Sequence, residues 1–416
     1  MSPGHGDLPE AVVSATDIAR LTGVRRPAVS NWRRRHADFP RPVAGMAANP
    51  LFSLADVEAW CDRHGRPFHA SPADRLWQCA RAVVEGVRTA EFLAHAGMRL
   101  LHRPADALPA PDPGWEPLLA EVEQAGQAGE RGGRLYAALC DRHAASHTRR
   151  AGTASGGLAD LMAELGGAGP AARVLDPACG TGALLLAAAA RGTRALLAQE
   201  RDPALGHIAL ARLLLDGRDA RLAVGDTLRD DGFAAETADV VLCDPPFRDR
   251  HWGHDELAGD ARWRCGLPPR GEPELAWVQH CLARTRPGGR VVVHMPAAAA
   301  HRRTGRRVRA DLLRWGALRA VVEPHADGDS GAHLWLLRRP DPGDRPTHLL
   351  SVCGTTDREE ITAAWTAFDT GRLGALGAHA VAVPVVDLLD ERVDLNPAAH
   401  RGRDAQQPPG PRGAHR

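Results

Sequence analysis

The chain has no lysine: all 52 basic side chains among its 416 residues are arginine. With the heavy use of alanine, glycine and proline, this reflects a GC-rich genome, so an arginine at a given position says little by itself about a contact. No stretch approaches the ~20 apolar residues that cross a bilayer; ALLLAAAARG is too short for a span and suits a buried helix. The opening MSPGHGDLPE has neither the basic residues nor the apolar run of a signal peptide, and a cytoplasmic location is expected. The eight cysteines contain no C-x-x-C, so neither a zinc knuckle nor a disulfide framework is indicated, and reduced, buried thiols are expected. The formal net charge of +1 averages over local patches and names no partner. What remains is an ordinary soluble composition, 44% hydrophobic and 25% charged, on a chain long enough for two or three domains.

Residues 1–68 read as one small unit. SATDIARLTGV puts Ile18, Leu21 and Val24 on one helical face, with Ser14 as cap and Gly23 as stop. RRPAVSNWRRR starts a second helix with Pro27 in its first turn and turns Val29 and Trp32 inward. RPVAGMAANPLF reads as a hairpin, and SLADVEAW opens a third helix with Ser53 and Asp56 spaced as a capping box. From 71 to 145 the pattern is helical, interrupted by RPADALPAPDPGWEP, and suggests no chemistry. Between 146 and 355 strands alternate with helices, at 172–176, 195–200, 220–225, 239–244, 289–296, 318–323 and 332–339. That rhythm predicts an α/β fold with a doubly wound, mainly parallel sheet and an antiparallel late edge. Residues 356–400 are mixed, with VPVVDLLDERVDLNP a candidate docking segment, and 401–416 lack apolar periodicity, as disordered tails do.

Chemistry concentrates in the alternating region. In VLDPACGTGALLLAAA a strand ends at Asp176, and Pro177, Ala178, Cys179, Gly180, Thr181 and Gly182 form a turn into an apolar helix. The glycines allow a tight turn and close approach of a ligand to backbone N–H groups. The spacing is not the G-x-G-x-x-G of dinucleotide folds, and the leading acid is placed to meet a positively charged ligand group. Two further acids close the next two strands: Glu200, suited to the hydroxyls of a ribose, and Asp226, suited to an adenine amino group. Alone, each would be a solvated strand-end acid; as a set they lie on the face where α/β sheets bind ligands. A fourth strand, VLCDPPF, stops at Asp244, Pro245, Pro246 and Phe247. Nothing in the pattern calls for a metal.

The pair DPACGTGALL and DPPF, with the later RPGGRVVVHMP, resembles the amino-methyltransferases that use S-adenosylmethionine, and most closely the N6-adenine DNA methyltransferases of type I restriction systems. The resemblance implies a Rossmann-like methyltransferase sheet. By it, Asp176, Gly180 and Gly182 hold the methionine part of the cofactor, Glu200 the ribose and Asp226 the adenine. Thr153, in GTASGGLADLM, is a further candidate at the methionine end: of the aromatic residue and Thr-Pro pair usual there the chain keeps the threonine, with Gly152 and Ala154 at the flanking positions. An exocyclic adenine amine is a poor nucleophile because its lone pair is delocalised. Asp244 and a backbone carbonyl aimed by Pro245–Pro246 can accept its two hydrogens and localise that pair, while Phe247 stacks on a base flipped from double-stranded DNA. Cys243 reads as packing, not as a nucleophile.

The N-terminal unit resembles a winged helix-turn-helix of the MerR or excisionase kind. By that resemblance Arg26, Ser30, Asn31, Arg33 and Arg34 are its DNA contacts, from a helix in the major groove. The run HRRTGRRVR at 301–309 is a second candidate for phosphates or a solvated helix. His251, Trp252 and Trp263 read as loop residues after DPPF, and His280 as a plain helix residue. Sequence choice by such an enzyme implies a recognition domain or a separate specificity subunit, for which little chain remains after 355. Two rival readings stand beside the leading one: methylation of a protein glutamine amide, and a DNA-binding regulator whose cofactor domain is inactive.

Overall fold

The computed structural model describes residues 10–84, 86–127, 130–147, 156–247, 249, 251–324 and 331–401. Two compact units divide the chain: Met1–Gly152 with Pro203–Asp216, and Thr153–Asp202 with Gly217–Arg416.

The first unit opens with a three-stranded antiparallel sheet of β1 (Val12–Ser14), β2 (Ala44–Met46) and β3 (Asn49–Ser53), in the order β1-β3-β2. Helices Ala15–Leu21, Arg26–Arg35 and Leu54–Arg63 pack on it. Ser14 caps the first of these reciprocally with Asp17: its hydroxyl accepts the Asp17 N–H at 3.2 Å, and the Asp17 carboxylate accepts the Ser14 N–H at 3.0 Å. Gly23, at φ +69°, turns the chain out of that helix in a backbone region that favours glycine. Ile18, Val29, Phe52 and Trp60 are fully buried and form the small core. Helices Pro72–Val83, Thr89–Leu100, Glu116–Gly126, Glu130–His147 and Pro203–Leu215 complete the unit. Asp74, only 4% exposed, joins its parts by accepting from Arg20 and Arg142 at 2.8 Å each.

The second unit is built on a nine-stranded sheet. Its strands are β4 (Arg173–Asp176), β5 (Ala195–Glu200), β6 (Asp219–Val224), β7 (Ala238–Cys243), β8 (Thr285–Pro296), β9 (Leu318–Val322), β10 (Ala332–Arg338), β11 (His348–Val352) and β12 (Ala380–Pro384). The order is β12-β11-β9-β10-β8-β7-β4-β5-β6. From β6 to β8 all neighbours are parallel; β10 inserts antiparallel between β8 and β9, β11 is parallel to β9, and β12 closes the edge antiparallel. β7 illustrates why the parallel part holds: in ADVVLC only Asp239 is not buried, as expected of a strand covered on both faces.

The strands expected between 172 and 339 form within a few residues of the expected bounds. β11 and β12 were not anticipated. Both carry short apolar runs, and neither is followed by the chemistry-bearing turns that make the earlier strands conspicuous. The stretch 356–400 is built into this unit, with Leu388, Val393 and Leu395 in the same core and the Leu395 N–H donated to Ala300 O at 3.0 Å. The basic run at 301–309 is partly internal. Arg309 is fully buried and donates to Val393 O at 2.9 Å and to Arg302 O at 2.8 Å. The tail beyond Arg401 lies outside the described residues. Among the described residues no helix is long and apolar enough to cross a membrane.

Candidate active site

The register of the parallel strands builds the site. Asp176, the last residue of β4, lies beside Ala198 of β5, and Leu175 lies beside Val241 of β7. Glu200 and Asp244 therefore stand two residues beyond the level of Asp176, on the strands that flank it. Three carboxylates thus crown adjacent strands at their carboxyl ends, where open α/β sheets bind ligands.

The turn after β4 is shaped for a ligand. Gly180 has φ +52° and Gly182 φ +85°, both in the left-handed region, and nothing lies within 4 Å of where a Cβ on Gly180 would stand. Gly182 caps the helix Ala183–Ala190. The Gly180 N–H reaches Glu200 Oε2 at 2.8 Å, and Glu200 Oε1 accepts the Asp202 N–H at 3.0 Å, so Glu200 is oriented while each oxygen keeps a further lone pair. Cys179 N–H bonds Gln199 O at 2.9 Å, and Pro177 O accepts from the Thr227 hydroxyl at 2.6 Å. Pro177 and Cys179 are buried; Ala178 and Thr181 are half-buried. Thr153 lies outside the described residues.

The electrostatics are one-sided. Asp176 is 1% exposed, and its Oδ1 accepts the Ala178 N–H at 3.1 Å. Burial drives its carboxyl well above the usual range, that hydrogen bond opposes the rise, and the negative charges of Asp244 and Glu200 add to it. Such a cluster attracts a cation. Asp226 is differently placed: its Oδ2 pairs with Arg229 at 2.8 Å and its Oδ1 accepts the Leu228 N–H at 3.2 Å, so much of its acceptor capacity is already engaged. The Cys243 thiol is fully buried and pushed well above its ordinary value by that burial, which leaves no thiolate for nucleophilic work.

At the end of β7, Pro245 is buried, Pro246 exposed and Phe247 half-buried. β7 and β8 pair with Cys243 beside Val293, which brings the following residues, Asp244 and His294, together. His294 Nδ1 lies 2.8 Å from Asp244 Oδ1, and its ring meets Phe247 edge-on at 5.4 Å between centroids. Sequence reasoning missed His294 and Thr227. The signal for the first was there: a lone imidazole inside the apolar run of VVVHMP. Trp252 and Trp263 are core residues of the segment after DPPF, packed edge to face at 5.9 Å, with the Trp252 indole N–H on Arg270 O at 3.1 Å. His280 is fully buried, with Nδ1 2.9 Å from an Arg262 guanidinium nitrogen.

The site is thus one end of a parallel sheet carrying a glycine turn, a carboxylate cluster and a rigid Asp-Pro-Pro-Phe corner. Its fold is shared with a solved structure: the methyltransferase subunit of a type I restriction-modification system from Streptococcus thermophilus superposes with a TM-score of 0.58 over 92% of this chain and 90% of that one, at 17% identity. Residues 132–325 match the N-6 DNA Methylase family. The methylase subunit of the type I restriction enzyme MjaIX from Methanocaldococcus jannaschii is 28% identical over 131 residues, 28% of this chain and 24% of that protein. The corresponding HindI subunit from Haemophilus influenzae is 28% identical over 131 residues, 29% of this chain and 30% of that protein. The chain therefore spans less than a third of the length of these curated relatives.

Proposed function

We propose that the protein transfers a methyl group from S-adenosylmethionine to the N6 amino group of adenine in double-stranded DNA. The observation that carries this reading is the junction of three carboxylates, Asp176, Glu200 and Asp244, beside the glycine turn and the Asp-Pro-Pro-Phe corner. The residues fit the cofactor chemically. A buried carboxyl raised by its own burial and by negative neighbours suits a ligand bearing an ammonium and a sulfonium, and Glu200, oriented by two backbone N–H groups, suits a diol. When bound, the cofactor supplies an electrophilic methyl on a cationic sulfur. Asp244 and a proline carbonyl would accept the two amino hydrogens and localise the nitrogen lone pair, and as the S–CH3 bond gives way to N–CH3 and a neutral thioether leaves, the Asp244 carboxylate would take the proton that the nitrogen sheds. Phe247 holds the flipped base, so that alignment supplies much of the rate.

A DNA-binding role for the first unit is part of the proposal. On the helix Arg26–Arg35, Val29 and Trp32 face the core while Arg26, Ser30, Arg33 and Arg34 are exposed. Asn31 is half-buried and accepts from Arg34. Choice of target sequence falls to this helix or to a separate specificity subunit.

The test is label transfer from methyl-labelled cofactor into duplex DNA. The wild-type protein places label on adenine, and Asp244→Ala abolishes transfer while still binding cofactor. Label in protein alone would favour glutamine methylation, and binding without transfer an inactive regulator. In the same assay Arg33→Ala weakens duplex binding without altering cofactor affinity.

A further inference from the structure

We propose that His294 is a positioning residue for methyl transfer: it fixes the carboxylate of Asp244 and braces Phe247, so that hydrogen acceptor and stacking ring move as one unit. The inference rests on the functional reading above and adds a residue to it.

The observations are geometric. His294 sits on β8, next to the strand that carries Asp244, and the pairing of Cys243 with Val293 makes their approach a property of the sheet, not of a loop. The contact is 2.8 Å from Nδ1 to Oδ1, and the two side chains are 7% and 14% exposed. In the proposed pair Nδ1 of the imidazole carries the hydrogen and Asp244 Oδ1 accepts it. The same ring meets Phe247 at 5.4 Å with an interplanar angle of 61°, an edge contact of the kind that orients aromatic side chains. One imidazole therefore touches both halves of the corner.

The chemistry gives that contact a use. The two oxygens of an aspartate are equivalent acceptors, and nothing in the side chain itself decides which one faces the substrate. A donor held on Oδ1 settles the rotamer and commits that oxygen. Near a reacting amine, where an error of about 1 Å costs about 100-fold, a fixed acceptor is a rate device. A structural histidine would instead matter only to folding. The two roles separate in kcat against KM.

The experiment compares His294→Leu, which removes the donor, with His294→Asn, whose amide nitrogen can replace Nδ1. His294→Leu is expected to lower kcat by about 10- to 100-fold, with cofactor affinity, DNA KM and melting temperature unchanged, and His294→Asn to restore most of the loss. Wild-type kcat in His294→Leu, or equal loss in both variants, overturns the proposal. Should His294→Leu fail to fold, nitrogen-15 spectra of labelled histidine decide on the wild type and Asp244→Ala. Pairing predicts a proton on Nδ1 of His294 that shifts when Asp244 is removed, and an unmoved signal overturns it. Absence of transfer by the wild-type protein would instead overturn the functional reading, which keeps the two failures apart.

Discussion

Asp74 in the first unit and Asp176 in the second are both buried aspartates, 4% and 1% exposed, and they are treated in opposite ways. Burial pushes the carboxyl of Asp74 up, but hydrogen bonds from Ser71, Arg142 and Arg20 outweigh it and hold the group down at about 2. Asp176 receives the backbone N–H of Ala178, and burial together with the charges of Asp244 and Glu200 drives it far the other way. A carboxylate buried for the fold is surrounded by donors and cations. One buried among other acids holds its proton well above the usual carboxylate range, and a nearby cation would lower it again. The contrast separates an acid held by donors and cations from one left among like charges.

The sharpest break in that comparison is Asp176→Asn. Loss of a buried charge-assisted contact to a cationic ligand is worth about 1.5–3 kcal/mol, so cofactor affinity should fall by about 10- to 100-fold, measured by calorimetry. The free protein should be at least as stable as the wild type, because the fold no longer carries a carboxyl that it must keep protonated above its ordinary range. The pH dependence carries the same sign. A carboxyl raised in the folded protein takes up its proton there more readily than in the unfolded chain, so Asp176 destabilises the free fold increasingly as pH rises from its unfolded value through its folded one. A bound cation lowers it again. Cofactor binding should therefore release a proton and weaken as pH falls, and titrations in buffers of different ionisation enthalpy would expose a binding reaction that releases none.

Asp74→Asn should do the reverse. A carboxyl lowered from 3.8 to about 2 stabilises the fold by about 2 kcal/mol. That contribution is complete above the unfolded value and is lost as pH falls from about 4 to about 2. The variant should melt earlier at neutral pH, lose that difference in acid, and bind cofactor as the wild type does. Equal loss of cofactor affinity in both variants would dissolve the distinction between the two acids.

Much of this was legible in the chain. The fold class follows from alternating strands and helices, and each of the acids at 176, 200 and 244 announces itself by ending an apolar run. What the sequence hid is of three kinds. Pairing between strands distant in sequence hid His294, since only the register of β8 against β7 turns a lone imidazole in VVVHMP into a partner for Asp244. Compensation hid Asp226, whose strand-end position is plain but whose salt bridge to Arg229 is not. Context hid part of the residues around 301–309 and 385–395: an arginine-rich run and a segment suited to docking are tied together inside the unit where Arg309 binds backbone carbonyls of both, Arg302 and Val393. In a chain whose only strong base is arginine, a buried guanidinium and a solvated one look alike until packing separates them.

The smallest effect tests whether the comparison is about charge or merely about burial. Thr227 is 3% exposed, and its hydroxyl donates to Pro177 O at 2.6 Å, tying the segment after β6 to the turn after β4. Thr227→Val keeps the shape and removes one neutral hydrogen bond, leaving the carbonyl without that donor. Such a bond contributes about 1 kcal/mol, which in a unit of this size is a melting shift of about 2–4 °C. Cofactor affinity should drop only a few-fold, through a small displacement of the turn, and with no change in the protons released on binding. If Thr227→Val weakened cofactor binding as much as Asp176→Asn does, the precise shape of the turn would govern the site. The carboxylate cluster would then be a consequence of strand ends converging, not the feature that selects a cationic ligand.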